Sequence, residues 1–162
     1  MTRFHDLYES YSRDIYRFAL YLSGDAAVAE DVTSETFIRV WSSPEPVRLG
    51  TVKAYLLTIA RNLCFMERRR RARGRELDES TPDARQSVAR QAEVRDELDR
   101  ILRTLQQFPE MDRAALLMRV DEGLSYEEIA AALRLPVATV KVKVHRTRLK
   151  LAQIRNQGVS AI

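Results

Sequence analysis

The 162-residue sequence predicts an all-α chain of two small helical domains joined by a flexible linker, the second domain a helix-turn-helix. Three observations carry this. Apolar residues recur at spacings of three and four along most of the chain, the pattern of amphipathic helices. Only five Gly and five Pro are present, so turns are few, and the helix formers Ala, Leu, Arg and Glu dominate. A polar, acidic stretch after residue 74 interrupts the periodicity and divides it in two. With 45% hydrophobic and 31% charged residues, the composition is that of a globular protein.

In chain order, Phe4, Leu7, Tyr11, Ile15, Phe18 and Leu22 place a first helix over about residues 4–22, which Ser23-Gly24-Asp25 ends. A second follows from Ala26 to Trp41, with Val28, Val32, Phe37, Val40 and Trp41 as candidate core. Pro44, Pro46 and Gly50 mark residues 42–50 as a loop. From Thr51 a third helix carries Leu56, Ile59, Ala60, Leu63 and Cys64 on one side and runs without a break into the arginines at 68–71. These elements make the first domain, residues 1–73.

Residues 74–93 are read as a linker, because so polar and acidic a segment buries too little apolar surface to offset its ordering entropy. The second domain, residues 94–157, begins with Leu98, Ile101, Leu102 and Leu105 on a helix that stops at Phe108-Pro109. Another helix carries Ala114, Leu117, Met118 and Val120 and stops at Glu122-Gly123. Ser125-Tyr126-Glu127-Glu128 then fits a capping box. The helix it starts turns Ile129, Ala130 and Leu133 inward, and the small Ala130 lets a second helix cross closely. Arg134-Leu135 is a short turn, and Pro136 suits the first turn of the next helix, where its missing N–H is unpaired anyway. In that last helix Val140, Val144 and Leu151 face the core. Lys141, Val142, His145 and Arg146 face away, flanked by Lys143 and Arg148. Residues 158–162 form a tail.

This is the build of a recognition helix: one face holds it to its domain, and the other offers donors to base edges and phosphates in a major groove. Charge placement supports a polyanionic partner at two points. Seven Arg against the single Glu67 fill residues 61–75, and beyond Glu128 no acid appears while Lys and Arg continue. Acidic stretches separate these blocks.

Gly123-Leu124-Ser125-Tyr126-Glu127-Glu128-Ile129-Ala130, then Pro136, Thr139-Val140-Lys141 and His145-Arg146-Thr147-Arg148-Leu149, resembles the C-terminal domain of extracytoplasmic-function (ECF) sigma factors. The resemblance implies that this helix reads a minus-35 promoter element, with Lys141, Val142, Lys143, His145, Arg146 and Arg148 as DNA contacts. The chain departs from the family pattern at Arg134 and Ala138, where Gly is frequent, and at Val142, where Ser is frequent. A turn at Arg134 asks a side-chain-bearing residue to enter the left-handed region at some energetic cost. Val142 cannot hydrogen-bond but can touch a thymine methyl.

The segment from Ala29 to Trp41 is similar to the part of these sigma factors that grips the clamp helices of the polymerase largest subunit, which assigns Asp31, Ser34 and Glu35 to polymerase binding. Tyr55 to Asn62 with the following arginines resembles the minus-10 region, which assigns Arg61, Asn62, Arg68 and Arg69 to the non-template strand. Leu98 to Met118 corresponds to the portion that supports contacts with the flap of the second-largest subunit. The implied partners are RNA polymerase core, promoter DNA and an anti-sigma factor.

Other function classes fit less of the chain. A free-standing helix-turn-helix regulator, with an N-terminal sensory or dimerisation domain, leaves the resemblance of the first half unexplained. An RNA-binding protein using the arginine run leaves the helix-turn-helix unexplained. No phosphate-binding Gly loop or metal-ligand spacing is present and only His5 and His145 offer a base, so no enzyme, cofactor, metal or small-molecule substrate is expected. With no apolar run of about 18 residues and no signal segment, no membrane insertion is expected and the expected location is the cytoplasm. The lone Cys64 is expected to be a buried, reduced thiol.

Overall fold

A computed structural model describes residues 2–43, 51–77 and 93–160. Its described elements are α1 (Thr2–Ser23), α2 (Ala26–Ser42), α3 (Val52–Leu77), α4 (Glu93–Gln106), α5 (Glu110–Leu116), a π-helical turn (Leu117–Asp121), α6 (Tyr126–Leu133) and α7 (Val137–Ser160). No strand occurs among the described residues.

Local chemistry sets most helix ends. Gly24 closes α1 at φ +73°, a conformation that demands glycine, and a Cβ there would also crowd the Gln106 side chain, whose Cδ lies at 3.0 Å. Asp25 then caps α2, its carboxylate accepting from the amides of Ala27 and Val28. Ser125 and Glu128 form the expected capping box on α6: Ser125 Oγ accepts from the Glu128 amide at 3.1 Å, and Glu128 Oε1 accepts from the Ser125 amide at 3.0 Å. The N-cap bonds hold Glu128's carboxyl below its ordinary value. Ser125→Ala should cost about 1 kcal/mol of stability, measurable by urea denaturation. An unchanged midpoint would show that the cap contributes nothing. Arg134 ends α6 at φ 56°, ψ 49°, the left-handed conformation expected of that turn.

The first three helices pack around Ile15, Phe18, Leu22, Val32, Leu56 and Leu57, all at most 3% exposed. The second half closes around Ala115, Met118, Ile129, Leu133, Val140 and Val144 in the same way. Each large side chain of this kind contributes about 1.5–3 kcal/mol by leaving water. Cys64 is buried, and burial pushes its thiol up to about 12, so it is an inert apolar filler.

Several expectations need correction. Trp41 is 56% exposed rather than core, its ring edge-on to Phe4 with centroids 4.7 Å apart. Ile101 and Val120 also face outward, at 45% and 53% exposure. At Val120 the reason is the π turn, in which the Glu122 amide reaches the Leu117 carbonyl at 3.0 Å and the extra residue shifts the register by which apolar positions were counted. The first residues assigned to the linker, 74–77, continue α3, carried on from the helix-forming arginine run that precedes them. Glu93, the last residue assigned to the linker, opens α4, and residues 158–160 of the assigned tail continue α7; the remainder of the linker, from 78 to 92, the Pro-rich loop from 44 to 50 and residues 161 and 162 lie outside the described residues.

The halves are in contact. Helix α1 packs against α4, α5 and the π turn, and α3 packs against α6. Arg17 bonds Asp121 at 2.9 Å and Glu122 at 3.3 Å, Lys53 pairs with Glu122 at 3.0 Å, and Thr51 donates to Glu128 at 2.8 Å. Gln106 donates to the Tyr21 carbonyl at 3.1 Å.

Candidate nucleic-acid interface

Helix α7 divides as its sequence predicts: Val140, Val144 and Thr147 are buried, and Lys141, Val142, His145, Arg146 and Arg148 are exposed. Pro136 opens it and its carbonyl accepts from the Val140 amide at 3.1 Å. Val142 is 58% exposed, placing an apolar contact in the middle of the basic face. Lys141 Nζ lies 5.6 Å from the Tyr126 ring centroid, on whose ring Arg119 also sits at 4.3 Å. Tyr126 thus links the two helices of the helix-turn-helix through cation–π contacts.

Two of the six α7 residues assigned to DNA form ion pairs inside the protein. Lys143 Nζ donates to Asp112 Oδ1 at 2.8 Å, and Arg146 Nη2 donates to Asp112 Oδ2 at 3.0 Å. Burial pushes the Asp112 carboxyl up, but the two cations more than reverse this and hold it below its ordinary value. In sequence Asp112 reads only as an acid in the first turn of a helix; nothing there points across more than thirty residues to α7.

On α3, Asn62, Arg68 and Arg69 are exposed, while Arg61 is partly covered. Arg61 Nη2 donates to Met111 Sδ at 3.2 Å and lies 3.7 Å from Glu110 Oε1, and its Nη1 donates to Asn62 Oδ1 at 3.2 Å. Sequence reasoning did not single out Phe65, yet it is 37% exposed between Arg61 and Arg69, whose guanidinium carbons lie 5.3 and 5.5 Å from its ring centroid. An exposed aromatic flanked by arginines beside Asn62 can stack on an unpaired base while the cations meet its phosphates. Among the downstream arginines, Arg70 and Arg71 are paired with Glu67, and Arg71 also with Asp25.

The acidic residues assigned to protein binding, Asp31 and Glu35, are exposed along α2 with Ser34 and share a groove with Val32, Ile38, Leu63 and Glu67. Ile38 is 55% exposed there, so an apolar contact lies beside the acids. Among the described residues, no group of His, Cys, Asp and Glu could hold a metal ion, and no helix is long and apolar enough to cross a membrane.

Comparison with known proteins gives two family matches. The family described as Sigma-70 region 2 matches residues 7–74, and Sigma-70, region 4 matches residues 98–151. ECF RNA polymerase sigma factor SigL of Mycobacterium tuberculosis (strain H37Rv) is 35% identical over 153 residues, covering 86% of this chain and 81% of SigL. SigE of Mycolicibacterium smegmatis is 35% identical over 158 residues, and there this chain spans only 61% of the relative's length. SigM of Bacillus subtilis is 28% identical and covered to 96%, as is this chain. Among solved structures, sigma factor RpoE of Bartonella quintana, in complex with the anti-sigma factor NepR, shares the fold with a TM-score of 0.79 at 23% identity, covering 96% of this chain and 98% of RpoE. CnrH, in complex with the cytosolic domain of CnrY, gives 0.71 at 22% identity, covering 97% and 90%.

Proposed function

The chain belongs to the ECF family of RNA polymerase sigma factors, and on that premise we propose that it joins the polymerase core and directs promoter-specific initiation, α7 reading a minus-35 element and α3 holding the minus-10 strand. The carrying observation is that one chain presents two exposed basic helical surfaces and a separate acidic-apolar groove on α2. Two DNA contacts and one protein contact are what a promoter-reading polymerase subunit requires.

In this reading Lys141, His145, Arg146 and Arg148 supply donors to the minus-35 duplex, Val142 an apolar contact, and Lys143 stands beside them. Arg61, Asn62, Arg68 and Arg69 face the minus-10 strand. The clamp helices of the polymerase largest subunit take Asp31, Ser34 and Glu35, and the stretch from Leu98 to Met118 supports the flap contact. Catalysis belongs to the polymerase, so the chain acts in the cytoplasm as a subunit and not as an enzyme. Control by an anti-sigma factor is supported by the fold neighbours RpoE, solved with the anti-sigma factor NepR, and CnrH, solved with the cytosolic domain of CnrY. A linker between the end of α3 and the start of α4 would let the two domains separate on the polymerase.

Reconstituting core with this chain and sequencing transcript starts tests the reading. Tight sequence-specific duplex binding by the free chain, without effect on core transcription, would favour the free-standing regulator. Replacing Asp31 and Glu35 together with Lys should weaken core binding at least tenfold and leave helicity unchanged, because both are exposed and their ion pairs, to Arg71 at 3.9 Å and Arg39 at 3.5 Å, contribute little. Undiminished core affinity in a pull-down, with unchanged circular dichroism, removes the clamp assignment.

A further inference from the structure

A recognition helix ordinarily spends its cations on DNA, yet α7 gives two of them to a carboxylate of its own chain. Asp112 lies in the first turn of α5 with its side chain only 6% exposed, and each of its oxygens takes one bond, from Lys143 and from Arg146. Those residues are three apart on α7, about one turn of helix, so a single carboxylate can hold both. The carboxylate is itself fixed. Its neighbour Arg113 is 1% exposed and donates to the carbonyls of Leu22 at 2.8 Å and Phe108 at 2.7 Å, which anchors the start of α5. Arg146 remains 51% exposed, whereas Lys143 is reduced to 21%.

We infer that Asp112 is a positioning residue for minus-35 reading: it withholds Lys143 from the phosphates and holds Arg146 in one orientation, so that sequence preference rises while affinity for arbitrary duplex falls. This rests on the function proposed above. The physical basis is the split between two kinds of contact. Phosphate neutralisation by mobile cations adds affinity for every sequence, while a guanidinium held in a fixed plane discriminates base edges. A guanidinium has five donors, so the bond to Asp112 leaves Arg146 others to offer the groove. Releasing both side chains therefore has opposite effects on affinity and preference.

The test compares holoenzymes carrying the wild-type chain and Asp112→Asn, on a promoter found by start-site sequencing and on the same promoter with its minus-35 element scrambled, over a salt titration. The expected result is roughly tenfold tighter binding of the scrambled promoter at low salt, a salt slope steeper by about one to two from the freed cations, and a roughly tenfold fall in the matched-to-scrambled ratio. Asp112→Glu, which keeps the charge, should retain most of the preference. If Asp112→Asn does not fold, the paired variant Asp112→Asn/Lys143→Met removes both members of one bond and frees Arg146 alone, steepening the slope by about one. Loss of affinity on both promoters, or no change in slope and ratio, overturns the inference and leaves Asp112 a packing contact between α5 and α7. A wild-type holoenzyme indifferent to the minus-35 scramble overturns the function reading itself.

Discussion

Replacing Arg113 with Ala should destabilise the protein by about 3–5 kcal/mol and lower Tm by roughly 10 °C. Arg113 is the largest fully buried side chain among the described residues. Its Nε donates to the Leu22 carbonyl at 2.8 Å and its Nη1 to the Phe108 carbonyl at 2.7 Å. These carbonyls lie at the end of α1 and just beyond the end of α4, where no further helical turn can satisfy them. Removing the guanidinium strands both in a dry setting, at about 1–3 kcal/mol each, and leaves a cavity. Burial pushes Arg113 down to about 10, with Arg68 adding repulsion and Glu110 opposing it, so the charge is held at a cost, and its Nη2 finds no hydrogen-bond partner. Arg113→Met refills volume without donors and should recover only part of the loss. If differential scanning calorimetry places the Arg113→Ala variant within about 2 °C of the wild type, the carbonyls find water and Arg113 does not hold the halves.

Reversing Arg17 to Glu should separate the two halves and enlarge the hydrodynamic radius of the free chain. The new carboxylate would face Asp14, Asp121 and Glu122, the last with a fully buried side chain. Burial already pushes Glu122's carboxyl up, against the opposing pull of Lys53 and Arg17, so its ionised form is held there at a cost. Taking away Arg17 and adding a like charge leaves Lys53 alone to compensate, and exposing Glu122 to water becomes the cheaper arrangement. Separation should also raise affinity for polymerase core several-fold, because the closed contact covers Arg61 with Met111 and Glu110 and reduces the fraction of chain able to engage DNA and core together. Arg13→Glu, on the exposed side of the same helix, changes net charge equally and should do neither. Small-angle scattering that gives one radius for wild type and Arg17→Glu would show that apolar packing, and not these ion pairs, joins the halves.

The covered Arg61 bears directly on how the linker was read. Polar composition between residues 74 and 93 predicts domains that move independently, and composition contains no information about what two folded surfaces do when they meet. The charge complementarity is present in the sequence as Arg17, Lys53, Asp121 and Glu122, but these four read as ordinary solvated residues until the π turn brings the two acids to α1.

Sequence by itself determined the helices, their order and the helix-turn-helix. Those features depend on neighbours within about four residues: the 3.6-residue apolar period of α1, Asp25 and Ser125 as caps, Gly24 and Arg134 as stops, Pro136 as a start. It also determined which face of α7 is exposed, because Val140 and Val144 can be buried only one way round. Tertiary structure alone decided which exposed cations are free to act. Lys143 and Arg146 reach Asp112 across 31 and 34 residues, and Arg61 reaches Met111 across 50; likewise the buried Arg113 reaches Leu22 across 91. What packs opposite also decided the exposure of Trp41, while that of Val120 follows from the π turn, which the regular 3.6-residue period does not record. Periodicity reports the local helix; a long-range ion pair is fixed by how the chain closes, and no window of neighbouring residues records it.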